Sequence, residues 1–269
     1  MTLTASKLDK PKVAALVLKQ MQRAEKTVAK AFRAFIDDQV KSIIAELNAS
    51  QAAVASVLFN PAEWDAKLID TMQPVLGKIL FEGAVAEILL HKKKVSDLKA
   101  TTATEAVAEY DLDFPFATEL PTWMIDAVNA QLDDTFSRDY WQAINETTRD
   151  DLSTLIRGAV EDGLPIADIA SRIRRDFGSV YSRARAVNVA RTETTASVNG
   201  GHMIGMQRLE DAGLVTGKKW SSVLGNTTRT SHAKLHNVKT EGVAGLFDLN
   251  GVLVPFPSHP DLPAPDRCS

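Results

Sequence analysis

Ala190-Arg191-Thr192-Glu193-Thr194-Thr195-Ala196-Ser197-Val198-Asn199-Gly200-Gly201 is the stretch on which the reading of this chain turns. It lies inside a run expected to be helical from about Tyr181 to Asp211, with Gly213 placed to stop it. Arg191 and Glu193 are two residues apart, so on a helix they do not face each other. Glu193 and Asn199 stand about 600° apart at about 100° per residue, again on different faces. Local spacing therefore builds no shared site from these residues. The expectation is that Arg191 and Glu193 bond loop backbone or the C-terminal sheet and lock a small domain.

Outward from that stretch the sequence stays helical on the N-terminal side. A helix is expected from Pro121, with or without a break, to Asp162, where Gly163 occupies the usual stop position. A short helix follows with Ile166, Ile169, Ala170, Ile173 and Phe177 on one face. Only after Gly217 does the texture turn to strand. Lys219-Trp220-Ser221-Ser222-Val223, Gly245-Leu246-Phe247-Asp248-Leu249 and Val252-Leu253-Val254 read as short β segments. Asn250-Gly251 between apolar runs is the strongest hairpin signal in the chain. The proline-rich tail from Pro255 is expected to lie over the small sheet.

The first third carries long helices. After Pro11, Val17, Met21, Ala24, Val28, Ala31 and Phe35 step by four and three, and the stripe shifts by one to continue at Ile36, Val40, Ile43 and Leu47. So narrow a seam must be buried, and an intramolecular helical partner is expected before a second chain. Asn60-Pro61-Ala62-Glu63 opens another helix, with Asn60 as cap and Pro74 inside as an expected kink. It ends near His91-Lys92-Lys93-Lys94, where cations complement the helix dipole. Residues 95–120 are acidic, weakly periodic and broken by proline, which reads as a linker or surface loop.

Composition narrows the classes. With 269 residues and 45% hydrophobic residues the chain is long and apolar enough for a core, which argues against wholesale disorder. A formal charge of −3 argues against general nucleic-acid adhesion. The single cysteine, Cys268, has no internal partner, as expected for a reducing compartment. No secretory leader and no membrane span are expected, so the cytosol is the expected site of synthesis and of use or assembly into a particle.

From about Thr147 onward, the order of features resembles the phage head-morphogenesis family, the Mu F-like minor head proteins. The resemblance runs through Thr147–Leu152, Gly158 and Gly163, the apolar helix to Phe177, Arg185-Ala186 and Ala190-Arg191-Thr192-Glu193, then Ala196, Asn199 and Gly200. It continues through Lys219-Trp220, Arg229-Thr230-Ser231-His232, Leu235-His236, Phe247 and the prolines leading to Cys268. It covers nearly half the chain. Two places depart from the pattern: Gly225-Asn226-Thr227-Thr228 replaces an acidic and a basic residue, and Arg267-Cys268-Ser269 replaces a paired-cysteine ending. The resemblance implies a structural protein of a virion head, from a phage or prophage, without a cofactor. The portal and other capsid proteins are the implied partners. Arg191, Thr192, Glu193, Asn199, Trp220, Arg229, His232 and Cys268 are its motif residues.

Three other readings of the residues stay open. An Arg/Thr/Glu set suits an ADP-ribosyltransferase, but such enzymes separate these residues on different strands, whereas here they are contiguous in a helix. His232 and His236, with His259 and Cys268, form a zinc-like set and so a metal-dependent hydrolase alternative. However, Thr227–Thr230 and Asn237-Val238 suggest a turn and strand that set the two histidines apart. Arg172, Arg174, Arg175, Arg183, Arg185 and Arg191 make 172–191 locally basic, as a DNA-binding packaging factor or a protein touching packaged DNA requires; alternatively they balance the acidic helix from Asp133 to Asp162. The expected architecture is mainly α with a C-terminal α+β domain, its helices packed on a small antiparallel sheet. The expected organisation is a helical region 1–115 for docking or self-association, a connecting helix 116–146, and a Mu F-like domain 147–269.

Overall fold

A computed structural model describes residues 10–50, 61–91, 121–137, 139–222, 224–226, 228–263 and 267. Seven α-helices are described: α1 (Lys10–Ser50), α2 (Pro61–Leu90), α3 (Thr122–Phe136), α4 (Asp139–Glu161), α5 (Ile166–Arg172), α6 (Ser182–Asp211) and α7 (Thr230–Leu235). A two-stranded antiparallel sheet follows, β1 (Phe247–Leu249) and β2 (Val252–Val254). The chain is therefore mainly α with a C-terminal α+β region, as the sequence pattern implies. Asn60, Lys92–Lys94, the 95–120 segment and Cys268 lie outside the described residues.

Contacts divide the chain into two compact units. One comprises Met1–Glu25, Lys78–Asn129 and Thr194–Ser269; the other comprises Lys26–Gly77 and Ala130–Glu193. Four helices, α1, α2, α3 and α6, supply residues to both.

The Lys26–Gly77 and Ala130–Glu193 unit buries the α1 stripe. Val28, Phe35, Ile36, Val40, Ile43 and Leu47 are in the core as the spacing predicts. Ala31 is only half-buried, while Phe32 beside it is fully buried, because the shift in the stripe turns the helix face by one residue. Phe35 meets Trp64 of α2 edge-on at 5.8 Å, so the seam finds a partner within the chain. Three helices also share a polar tie. The Gln39 amide donates to Asn145 Oδ1 at 3.3 Å, and Asn145 donates to Asp65 Oδ1 at 2.6 Å. Asn145 is almost fully buried, and its pairing avoids the cost of an unpaired amide.

The sequence suggests two separate helices at 166–177 and 181–211. The structure joins them through a π-helical stretch, Ile173–Tyr181. Gly178 is not among the residues of positive φ, so no stop forms there and the helix widens instead of ending. Gly163 (φ 69°) and Gly213 (φ 71°) are left-handed and do end their helices.

In the other unit the small sheet closes on Asn250-Gly251 (φ 57° and 86°), the left-handed pair that a tight hairpin requires. Trp220, Phe247, Leu249, Val254 and Leu262 form one apolar cluster. Leu262 brings the proline-rich tail over the sheet, as expected. Lys219–Val223 is not a strand: among its described residues there is one bridge, Lys219 to Lys239. The Trp220 N–H and C=O are instead taken up by Val238 and Asn237, each at 2.9 Å, which holds an irregular loop without a ladder.

Candidate functional site

The helix α6 carries the motif that opened the sequence reading. Arg191 is exposed, Thr192 half-buried and Glu193 buried at 4% exposure, so the three point to different environments, as helical spacing requires. They belong to the Lys26–Gly77 and Ala130–Glu193 unit, whereas Asn199, Trp220, Arg229 and His232 belong to the other.

Asn199 makes a first tie. Its Nδ2 donates to the carbonyl of Pro257 at 3.0 Å and ties α6 to the proline-rich tail. Glu210, one turn before the helix stop, adds a second tie, its Oε1 accepting the Val243 N–H at 2.8 Å. Lys218 adds a third. Its buried ammonium donates to the carbonyls of Val243 and Gly245 and lies 5.5 Å from the Phe247 ring centroid. Burial lowers the Lys218 pKa to about 8, against the opposing pull of Glu210. Sequence reading singled out neither Glu210 nor Lys218. One of two consecutive lysines in a loop carries no pattern that distinguishes a buried amine from a surface one.

Glycines set the approach of α2 to α6. A Cβ on Gly83 would stand 2.9 Å from the Val198 carbonyl oxygen and 3.0 Å from Gly201 Cα. A Cβ on Gly201 would collide with the Leu80 carbonyl. The last residue of the opening stretch is thus a site of backbone-to-backbone contact. Beside it, His202 Nδ1 stands 2.7 Å from Glu87 Oε2, and His91 Nδ1 stands 3.4 Å from Glu87 Oε1.

The histidines proposed as metal ligands have other work. His232 is buried and tilts against Trp220 at 5.8 Å. His236 Nδ1 accepts the Ser222 N–H at 3.1 Å. His259 packs on Phe256 at 4.9 Å, and its Nδ1 stands 3.4 Å from Asp261 Oδ2. No strand forms at Asn237-Val238, and the chain before it folds as α7 with His236 at its end. Arg229 is extended (φ −64°, ψ 144°) and its carbonyl accepts the Ala233 N–H at 2.9 Å, which starts the helix. Before it, Gly225 and Thr228 close a turn by two 3.0 Å hydrogen bonds. Among the described residues no group of three or more His, Cys, Asp or Glu is arranged to hold a metal ion. Cys268 lies outside them.

The basic stretch 172–191 is largely spoken for. Arg172 pairs with Asp162 at 3.1 Å and Asp176 at 3.7 Å, and Arg175 pairs with Asp176 at 2.7 Å. The Arg175 hydrogen bond holds the Asp176 carboxyl below its ordinary range. Arg185 donates to the Ile144 carbonyl at 2.8 Å, joining α6 to α4, and Arg174 reaches Ser171 at 3.5 Å. No helix among the described residues is long and apolar enough to cross a membrane.

No curated protein and no solved structure matches the chain. A family model does. Residues 150–245, from within α4 through α7 to the edge of the hairpin, match the family described as phage Mu protein F like protein. That segment holds Arg185, the Arg191-Thr192-Glu193 triplet, Asn199, Lys218, Trp220 and the α7 histidines. The chain is thus similar, over residues 150–245, to the phage Mu protein F like family.

Proposed function

We propose that this chain is a minor structural protein of a tailed-phage or prophage head, acting in head assembly beside the portal and in genome delivery. The observation that carries the reading is the family match across 150–245, the region in which the polar side chains hold the fold together. Lys218 is engaged with two carbonyls, Asn199 with a third, Glu210 with a backbone amide and His236 with another. Groups committed in this way serve as ties, which favours a structural part over a transferase or hydrolase centre. The compact C-terminal region supplies a fixed fold, and the N-terminal region 1–115 supplies the surface that docks on the portal, on other capsid proteins or on another copy.

Disrupting the reading frame in an inducible phage tests the role. The expected result is normal synthesis of the major capsid protein with a sharp fall in DNA-filled, infectious heads. Complementation by a Glu193→Gln chain is expected to restore particle yield, because no transferase step depends on that carboxylate. Unchanged particle yield on disruption would refute the assembly role. Failure of a folded Glu193→Gln chain to complement would favour the transferase alternative.

A further inference from the structure

Within the Lys26–Gly77 and Ala130–Glu193 unit, α1 and α6 border a groove of about 380 Å³. Its walls include the small side chains Ala29, Ala34, Ala186 and Val187. Its charged lining is Lys30, Arg33 and Arg183 against one carboxylate, Asp37. Arg33 and Asp37 are an i, i+4 pair at 4.0 Å and largely offset each other. Lys30 and Arg183 are exposed and have no partner among the described residues, so two positive charges stand over an apolar trough.

Small walls let a third helix approach two others at ordinary packing distance, about 8–10 Å between axes. A phosphate backbone would meet the methyl groups of Ala29, Ala34, Ala186 and Val187, which favours a helix of small and acidic side chains over nucleic acid. One such face is on the chain itself. On α4, Ala143, Glu146, Thr147, Asp150 and Thr154 are all exposed and stand at i, i+3, i+4, i+7 and i+11, a narrow stripe of small and acidic residues. Among the described residues Asp150 pairs with the half-buried Arg149 alone, at 3.4 Å, a pair that solvent screens. Neighbouring Ile144 and Asn145 are engaged with α6 and α1, whereas Glu146 and Asp150 are exposed and neither lines the groove.

We propose that the α1/α6 groove receives the acidic α4 face of a second copy, with Lys30 and Arg183 pairing with Glu146 and Asp150. Groove and ridge are different surfaces, so the contact is head-to-tail and propagates to a ring or a row. It does not depend on the head-protein reading, since it rests on shape and charge alone.

Sedimentation of the full chain over a range of concentrations tests it, at ~0.05 M and ~0.5 M salt to vary the screening. The expected result is self-association that weakens at high salt. The groove variant Lys30→Glu/Arg183→Glu and the ridge variant Glu146→Lys/Asp150→Lys should each lose roughly tenfold or more in affinity. All four positions are exposed, so melting temperatures should stay near that of the parent, and the Lys30→Ala/Arg183→Ala variant provides a milder check. Mixing the two reversed variants should restore association, because each then offers the other an opposite charge. A parent that stays monomeric at every concentration would overturn the proposal. So would a mixture that fails to associate, or a groove variant that loses only binding to duplex DNA.

Discussion

At the scale of single residues, buried polar groups with assigned partners hold the C-terminal region together, and Lys218 is the most telling. Its carbonyl partners, Val243 and Gly245, flank the loop that leads into β1. Substituting Lys218→Met should remove both hydrogen bonds and lower stability by about 1–3 kcal/mol at neutral pH, the cost of leaving buried carbonyls unpaired. The same lysine gives a pH signature. Its folded pKa of about 8 lies below the ordinary lysine value of 10.5, so between those values the unfolded chain holds more protons than the folded one. Stability contributed by this group therefore rises with pH from about 8 to 10.5, and the penalty is fully present below 8. Thermal melts of parent and variant across that range should show the rise only in the parent; parallel curves would mean that the amine is not desolvated.

At the scale of elements, the crossing of α2 and α6 depends on glycine. Gly83→Ala and Gly201→Ala each place a methyl against backbone, which cannot move aside as a side chain can. Each should cost about 1–3 kcal/mol, read as a lower denaturant midpoint with an unchanged slope. Gly251→Val should similarly destabilise the hairpin by about 1–2 kcal/mol, because φ is 86° there and a β-branched residue resists that region. The hairpin and most helix ends were legible because their signals are local: Asn250-Gly251, Gly163 and Gly213 act through their own backbone. The α1 stripe was legible because periodicity survives whatever packs against it. Lys219–Val223 was misread because its alternation is that of a strand, while its hydrogen bonds depend on Asn237 and Val238, far along the chain. α7 was missed because six residues carry too little pattern, and its start rests on the extended backbone of Arg229. At the candidate site, Asn199 and Trp220 were visible as motif residues, whereas Glu210, Lys218 and the Gln39–Asn145–Asp65 tie were not. Their roles exist only once distant segments meet.

At the scale of the whole molecule, the proposed function gives attachment to the N-terminal region 1–115, while the family likeness lies in residues 150–245. Residues 150–245 are the part similar to the phage Mu protein F like family, and the Glu210–Val243 and His236–Ser222 ties lie inside them. On this account, removing residues 1–115 should abolish attachment to heads, read as loss of the chain from particles while the remaining protein is still made. The most direct test of the central claim is quantitative mass spectrometry of gradient-purified phage particles from a host carrying this reading frame. The account predicts that the chain co-purifies with heads at a small, fixed ratio to the portal protein. Its absence from particles that assemble and package normally would contradict the account.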